Sequence, residues 1–298
     1  MGFSGSEKKF LIDTPIEIYD VNGFDVLVKR EDMACSPPGP TFSKVRGLYP
    51  HIQKLIERGV RTVGYVETSV SMAGWGVAWV CKELGLTSVI FEPIYSEERE
   101  DLELLRFHKS KWQEFGADIV PILAGRAKIN YYKAKKILME NYKNSIMLPL
   151  GLPLRETIFE TAIIAKTVNA EIDFDSVVVN IGSGTICAGI VIGIPNKKIY
   201  GIMGRTGNTK LKHFQISGKS GIGGKSGKFG FLENLELVDP GFEYTDRAPG
   251  TAPFPCHPYY DLKAWNWLVE NINKFKSGRV LFWNIGSSKR EEGIKNVQ

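Results

Sequence analysis

Apolar runs of strand length alternate with runs of helical length along most of this chain, and glycines stop the helices. Thr62–Val66 reads as a buried strand, and Ala73–Leu84 as a helix closed by Gly85. Ser88–Phe91 is the next strand. Glu97–Phe115 is a charged amphipathic helix stopped by Gly116, Asp118–Leu123 a third strand and Tyr131–Asn141 a third helix. This order implies a parallel sheet with helices on its faces. The pattern then restarts with a helix over Arg155–Val168, an apolar strand over Val177–Ile181, a helix over Gly184–Ile194 and a strand over Ile199–Met203. Leu262–Phe275 reads as helix and Arg279–Trp283 as strand. The expected fold is α/β and two-lobed, each lobe a mostly parallel sheet flanked by helices. The seam is expected at Pro149–Pro153, dividing a larger lobe (1–60 and 151–298) from a smaller one (61–150). No short fixed-period repeat is visible.

Composition narrows the class. A chain of 298 residues that is 43% hydrophobic and 24% charged suits a soluble globular protein of one large or two ordinary domains. No apolar run approaches the roughly 20 residues that span a bilayer. The N-terminus has no apolar signal region, and the fit of Met1-Gly2 and Ser6 to a myristoylation pattern is read as coincidence. Cys35, Cys81, Cys187 and Cys256 are far apart, which argues against a zinc site or a disulfide framework and for a reducing, cytoplasmic setting. The net charge of +5 admits an anionic cofactor or substrate without requiring one.

Several segments carry chemistry. Asn180-Ile181-Gly182-Ser183-Gly184-Thr185 follows an apolar strand and opens a helix. Glycines let backbone N–H groups approach an anion, the helix N-terminus adds favourable charge, and Ser183 and Thr185 add hydroxyl donors. The dinucleotide spacing G-x-G-x-x-G fails because Cys187 holds the third position. A second Gly-rich run, 217–230, contains Gly224-Lys225-Ser226, but Lys219 breaks the P-loop pattern and no clear strand and helix flank it. It is expected to be a flexible loop over a site or against an anionic substrate. Lys44 follows Val28-Lys29-Arg30-Glu31-Asp32 and a Pro/Gly loop, within Ser43-Lys44-Val45-Arg46-Gly47. Taken alone it would be a solvated lysine at a helix start.

Together these segments resemble the fold type II pyridoxal-phosphate (PLP) enzymes, and the likeness covers most of the chain in family order. It implies pyridoxal 5′-phosphate as the cofactor, a Schiff base on Lys44, and a phosphate loop at Gly182, Ser183, Gly184 and Thr185. Cys256-His257-Pro258-Tyr259-Tyr260-Asp261-Leu262-Lys263-Ala264 is similar to the Asp-Pro-Val-Tyr-(Glu/Thr)-Gly-Lys run of the branch that holds 1-aminocyclopropane-1-carboxylate (ACC) deaminase and D-cysteine desulfhydrase. The likeness puts the Asp261 carboxylate at the pyridine nitrogen, where it would keep the ring protonated, and Tyr260 at the substrate. Asp261 also reads as an N-cap of the following helix. Arg279–Trp283 resembles the branch's last strand. Glu67-Thr68-Ser69-Val70-Ser71-Met72-Ala73 resembles the family's loop before its first small-lobe helix, with Ser71 at the substrate.

Two departures bear on substrate. Met72 stands where the family has an asparagine that binds the cofactor ring oxygen, and methionine cannot donate that bond. The stretch Pro240–Pro255, rich in proline and glycine, replaces a family helix. Three functions remain open. The first is deamination or β-elimination at the α-carbon of a free amino acid, with Lys44, Ser71 and Tyr260 catalytic. The second is PLP-dependent decarboxylation or rearrangement of an amino-acid moiety on a larger anionic substrate, such as an aminoacyl-modified thymidine in phage DNA. The third is an inactive binding module of the same fold. The resemblance also implies a homodimer.

Overall fold

The computed structural model describes residues 11–99, 101–206, 233–275 and 278–288. The Gly/Ser/Lys run at 217–230 and the N-terminal Met1-Gly2 and Ser6 lie outside the described residues. The chain forms two compact units, one of residues 1–37, 41–43 and 157–298, the other of residues 38–40 and 44–156.

The larger unit is built on a six-stranded sheet. Its strands are β1 (Ile16–Val21), β2 (Phe24–Arg30), β7 (Ser176–Ile181), β8 (Lys198–Met203), β9 (Leu235–Val238) and β10 (Val280–Asn284), in the order β1-β2-β10-β7-β8-β9. Among the described strands of this sheet only the β1–β2 pair is antiparallel. Asn22 and Gly23, both at positive φ, make its two-residue turn, the Asn-Gly signature of such hairpins. The central strands are apolar on both faces, as a doubly covered parallel sheet requires. Val177, Val179, Leu281 and Trp283 pack with α6 (Thr185–Gly193) and α5 (Arg155–Glu171). Val178, Val280 and Phe282 point the other way and pack with Leu262, Trp265 and Leu268 of α7 (Asp261–Glu270).

The smaller unit has four parallel strands in the order β5-β4-β3-β6: β3 (Thr62–Val66), β4 (Thr87–Ile94), β5 (Asp118–Leu123) and β6 (Ser145–Met147). Its helices are α1 (Val45–Glu57), α2 (Ala73–Glu83), α3 (Leu102–Glu114) and α4 (Ala127–Asn141). α4 lies close on the sheet because β3 has a glycine beneath it: a Cβ on Gly64 would stand 2.6 Å from Leu138 Cδ2.

Several sequence boundaries move. α3 starts at Leu102 rather than Glu97, because Arg99 turns back to bond Asp101 and stacks on Tyr95. α4 begins a turn earlier than Tyr131, since the Asn130 amide bonds the Leu123 carbonyl at 3.1 Å and ties down the first turn. The helix expected over Leu262–Phe275 ends at Glu270 and gives way to a 3-10 turn at Ile272–Phe275. Residues 44–60 belong with the smaller unit, because α1 packs on α2. The stretch Pro149–Pro153 lies inside that unit too.

Candidate active site

In the smaller unit Lys44 sits immediately before α1, half-buried, with its backbone already helical. Its Nζ donates to the Gly151 carbonyl at 2.7 Å. That acceptor is held in turn: the Gly151 N–H donates to Tyr65 Oη at 3.1 Å, and Gly151 and Leu152 both take positive φ. The Pro149–Pro153 stretch therefore receives the lysine. A leucine at φ +48 is a strained position for a branched side chain, held here by burial at 0% exposure.

The loop before α2 is organised by a carboxylate that sequence reasoning passed over. Glu67 is buried, and its two oxygens accept from the Thr68 and Gly74 N–H groups. Burial pushes its pKa up to about 8, against the pull of those two bonds and one from Ser71. Ser71 Oγ also accepts from the Ala73 N–H at 3.1 Å, so this hydroxyl helps start α2. Met72 is buried at the N-cap position and provides no capping bond. A Glu seven residues ahead of a Gly is no recognised pattern, so nothing in the sequence marks this contact.

In the larger unit β7 runs into α6 through Gly182-Ser183-Gly184. Gly184 adopts φ +81 at the N-cap, a left-handed conformation that favours glycine, and no side chain caps the helix. Ser183 and Thr185 share a hydroxyl–hydroxyl bond of 2.8 Å. Asn180, at the end of β7, has a buried Oδ1 with no hydrogen-bond partner among the described residues. α6 is anchored at Gly189, where a Cβ would meet Thr161 Cβ at 2.5 Å and the Ile158 carbonyl at 2.7 Å.

Tyr260 and Asp261 stand together at the start of α7. Tyr260 is the N-cap residue, so the expected capping by Asp261 does not occur. Asp261 points instead toward the end of β10, accepting from the Ile285 N–H at 3.0 Å. It is 1% exposed, and burial, with the nearby Asp32 carboxylate, pushes its pKa up to about 8 against the pull of the Ile285 and Gly286 N–H groups. Asp32 is bonded by both forks of Arg30 at 2.9 Å and by Asn284 Nδ2 at 2.9 Å. Tyr260 Oη bonds Tyr244 Oη at 2.7 Å, and its ring centroid lies 4.5 Å from that of His257. Lys263, also buried, donates to the Gly204 and Glu243 carbonyls at 2.8 Å each, and burial lowers its pKa to about 8. Tyr244 and Glu243 lie in the rebuilt stretch, whose contacts no motif announces.

Of the sequence-expected residues, Lys44 and Ser71 lie in the smaller unit, and Gly182–Thr185, Tyr260 and Asp261 in the larger. A glycine strand-to-helix turn and a buried carboxylate are features that binding of a phosphorylated cofactor would use. Residues 9–220 match the family model described as pyridoxal-phosphate dependent enzyme. A "glycyl-dTMP PLP-dependent decarboxylase" of Pseudomonas phage M6 is 38% identical over 284 residues, covering 92% of this chain and 98% of the relative. Among solved structures, an ACC deaminase homologue superposes with a TM-score of 0.73 at 21% identity, covering 93% of this chain and 92% of that one. A fungal L-serine ammonia-lyase from Rhizomucor miehei gives 0.66 at 13% identity, with 94% and 95% covered. The chain belongs to the pyridoxal-phosphate dependent enzyme family, and its fold is that of fold type II.

The residues present suit this cofactor. A Cβ at Gly182 would meet nothing within 4 Å among the described residues, so the turn has room for an anion against the uncapped N-terminus of α6. The two hydroxyls can complete a phosphate's donor set. The buried carboxyl of Asp261, lacking a cation of its own in the contacts described, suits a protonated ring nitrogen. Met72 is the exception: it offers no donor for a ring oxygen.

Proposed function

We propose that this protein removes the carboxyl group of a glycyl moiety carried on a thymidine nucleotide. The observation that carries the reading is the near end-to-end likeness to the phage decarboxylase. Met72 and the rebuilt stretch around Tyr244 support it, since both depart from the branch that acts on free amino acids. In this reading Lys44 carries the cofactor, Gly182, Ser183, Gly184 and Thr185 hold its phosphate, and Asp261 faces its ring nitrogen. Ser71 and Tyr260 lie at the substrate. When bound, PLP acts as a sink for the electron pair left on the α-carbon.

The chain's own groups have four tasks. The N–H groups opening α6, with Ser183 and Thr185, bind the phosphate and fix its register. Asp261, held by the Ile285 N–H, keeps a ring proton in place. As carbon dioxide leaves, the C–C bond breaks and its electrons stay on the α-carbon, which must gain a proton. Lys44 Nζ, oriented by the Gly151 carbonyl, and the Tyr260 phenol, oriented by Tyr244, are the groups to move it.

The test is mass spectrometry of glycyl-dTMP incubated with the purified, PLP-loaded protein. Loss of carbon dioxide with nitrogen retained supports the reading. Release of ammonia and a 2-oxo product, or turnover of free ACC or D-cysteine instead, would return the protein to the deaminase class.

A further inference from the structure

α4 of the smaller unit has one buried stripe and one wide exposed face. Asn130, Ala134 and Leu138 recur every fourth residue and are buried at 6% exposure or less. Everything on the opposite face is open, and its charge is one-sided. From 126 to 143 the cations are Arg126, Lys128, Lys133, Lys135, Lys136 and Lys143, all exposed, against the single carboxylate of Glu140. Six positive charges less one negative leave +5, which equals the net charge of the whole 298-residue chain. By the same count residues 205–232 hold six cations and no carboxylate, so the sequence has two strongly basic runs, and α4 is the one whose side chains lie among the described residues. Glu140 reaches Lys136 only at 3.8 Å, and among the described residues no ion pair engages Lys128, Lys133 or Lys135.

Large apolar side chains lie among these cations: Tyr132 is 59% exposed, Met139 64% and Ile129 49%. At 100° per residue Lys128, Tyr132, Lys135 and Met139 share one stripe, and Ile129, Lys133, Lys136 and Glu140 the next. Cations and apolar groups are interleaved. A membrane-lying helix segregates them, and here the continuous apolar stripe is already used on the sheet. Two copies meeting through this face would bring like charges together. A polyanion with a regular charge spacing and flat bases fits it better.

We propose that the exposed face of α4 is a docking surface for the DNA backbone, with Lys128, Lys133, Lys135 and Lys136 on phosphates and Tyr132 against sugar or base. The choice of DNA rests on the thymidine reading above. It assigns the protein a polymer as substrate, with the glycyl-bearing nucleotide presented within a strand.

The test uses PLP-loaded protein and a fluorescein-labelled DNA duplex, with anisotropy measured across a salt series. The variant is K128A/K133A/K135A, at exposed helical positions where alanine favours the helix. Wild-type binding should weaken steeply with salt. In the variant the slope of log affinity against log salt should become shallower by about 3, and low-salt affinity should fall at least about tenfold. Turnover of the free mononucleotide glycyl-dTMP should be unchanged. Equal DNA affinity in wild type and variant overturns the surface. So does a wild type that prefers RNA of the same sequence or binds phosphatidylserine vesicles more tightly than DNA, and so does a variant that changes oligomeric mass. A chain that binds DNA through these lysines but leaves the glycyl group intact both on free glycyl-dTMP and within a DNA strand keeps the surface and removes the decarboxylase reading. A chain that decarboxylates with unmoved DNA affinity does the reverse.

Discussion

Replacing Asp261 with asparagine should make the cofactor-free protein more stable, by an amount that grows with pH. The carboxyl is 1% exposed and its pKa is pushed from 3.8 up to about 8, chiefly by burial. A carboxyl raised in this way keeps a proton in the folded chain that the unfolded chain has already lost. Folding stability therefore falls as pH rises from the unfolded value toward the folded one, at up to 1.36 kcal/mol per pH unit, with the sign set by proton linkage. Between about pH 5 and about pH 8 the loss attributable to Asp261 is roughly 3 to 4 kcal/mol. Asparagine has nearly the same shape, can keep the bond from Ile285 and does not ionise. It forfeits about 1 kcal/mol through the second N–H contact, an offset independent of pH. Urea denaturation of both proteins at several pH values gives the difference directly. The gap should widen steadily with pH, with Asp32 contributing to it, since that carboxylate is among the causes of the shift. Under the proposed role the same variant loses turnover, so stability and activity move in opposite directions. A gap that stays flat, or narrows as pH rises, would refute the reasoning and show that Asp261 is ionised and paired in the folded chain.

Other expectations follow from single contacts. Gly189→Ala puts a methyl 2.5 Å from Thr161 Cβ and 2.7 Å from a carbonyl oxygen, so α6 must shift. The cost should be about 1–3 kcal/mol in urea denaturation, and PLP affinity measured by absorbance titration should weaken with it. Glu67→Ala leaves the Thr68 and Gly74 N–H groups without their buried acceptor. At about 1–3 kcal/mol per group it should lower Tm by several degrees, which calorimetry would detect. Lys44→Ala should abolish the cofactor's covalent absorbance and all turnover. It removes the hydrogen bond to Gly151, a loss of about 1 kcal/mol in the cofactor-free protein from that contact.

The legible parts of the molecule are those fixed by local pattern. β7 and the glycine turn after it could be read because an apolar strand, a left-handed glycine and a helix start are all neighbours in sequence. The helix ends at Gly85 and Gly116 were marked in the same way, and both glycines take positive φ. The β1–β2 hairpin is equally marked, by Asn22-Gly23 at positive φ between two strands. Tertiary partners were not legible. Arg30, Asp32, Asn284 and Asp261 form one buried polar group from three distant segments, and no spacing rule joins residues 32 and 284. Tyr65 and Glu67 look like a strand aromatic and a loop acid until the Gly151 and Gly74 backbones are placed against them. The start of α3 is not legible because helical composition continues through Glu97–Arg99, while a local Arg99–Asp101 pairing claims those residues first.

The sheet order β1-β2-β10-β7-β8-β9 puts the last strand in the middle. β10 is hydrogen-bonded to β2 on one side and to β7 on the other, across separations of roughly a hundred residues or more. During synthesis β7, which leads into the glycine turn, can pair with β8 early but lacks its other neighbour, and with it any link to the β1–β2 hairpin, until residues 280–284 have emerged. The smaller unit is nearly continuous in the chain and can condense well before that. A late-closing sheet has a high contact order and folds slowly. The expected order of maturation is thus an early small unit, a late large one, and cofactor capture only after the chain is nearly complete.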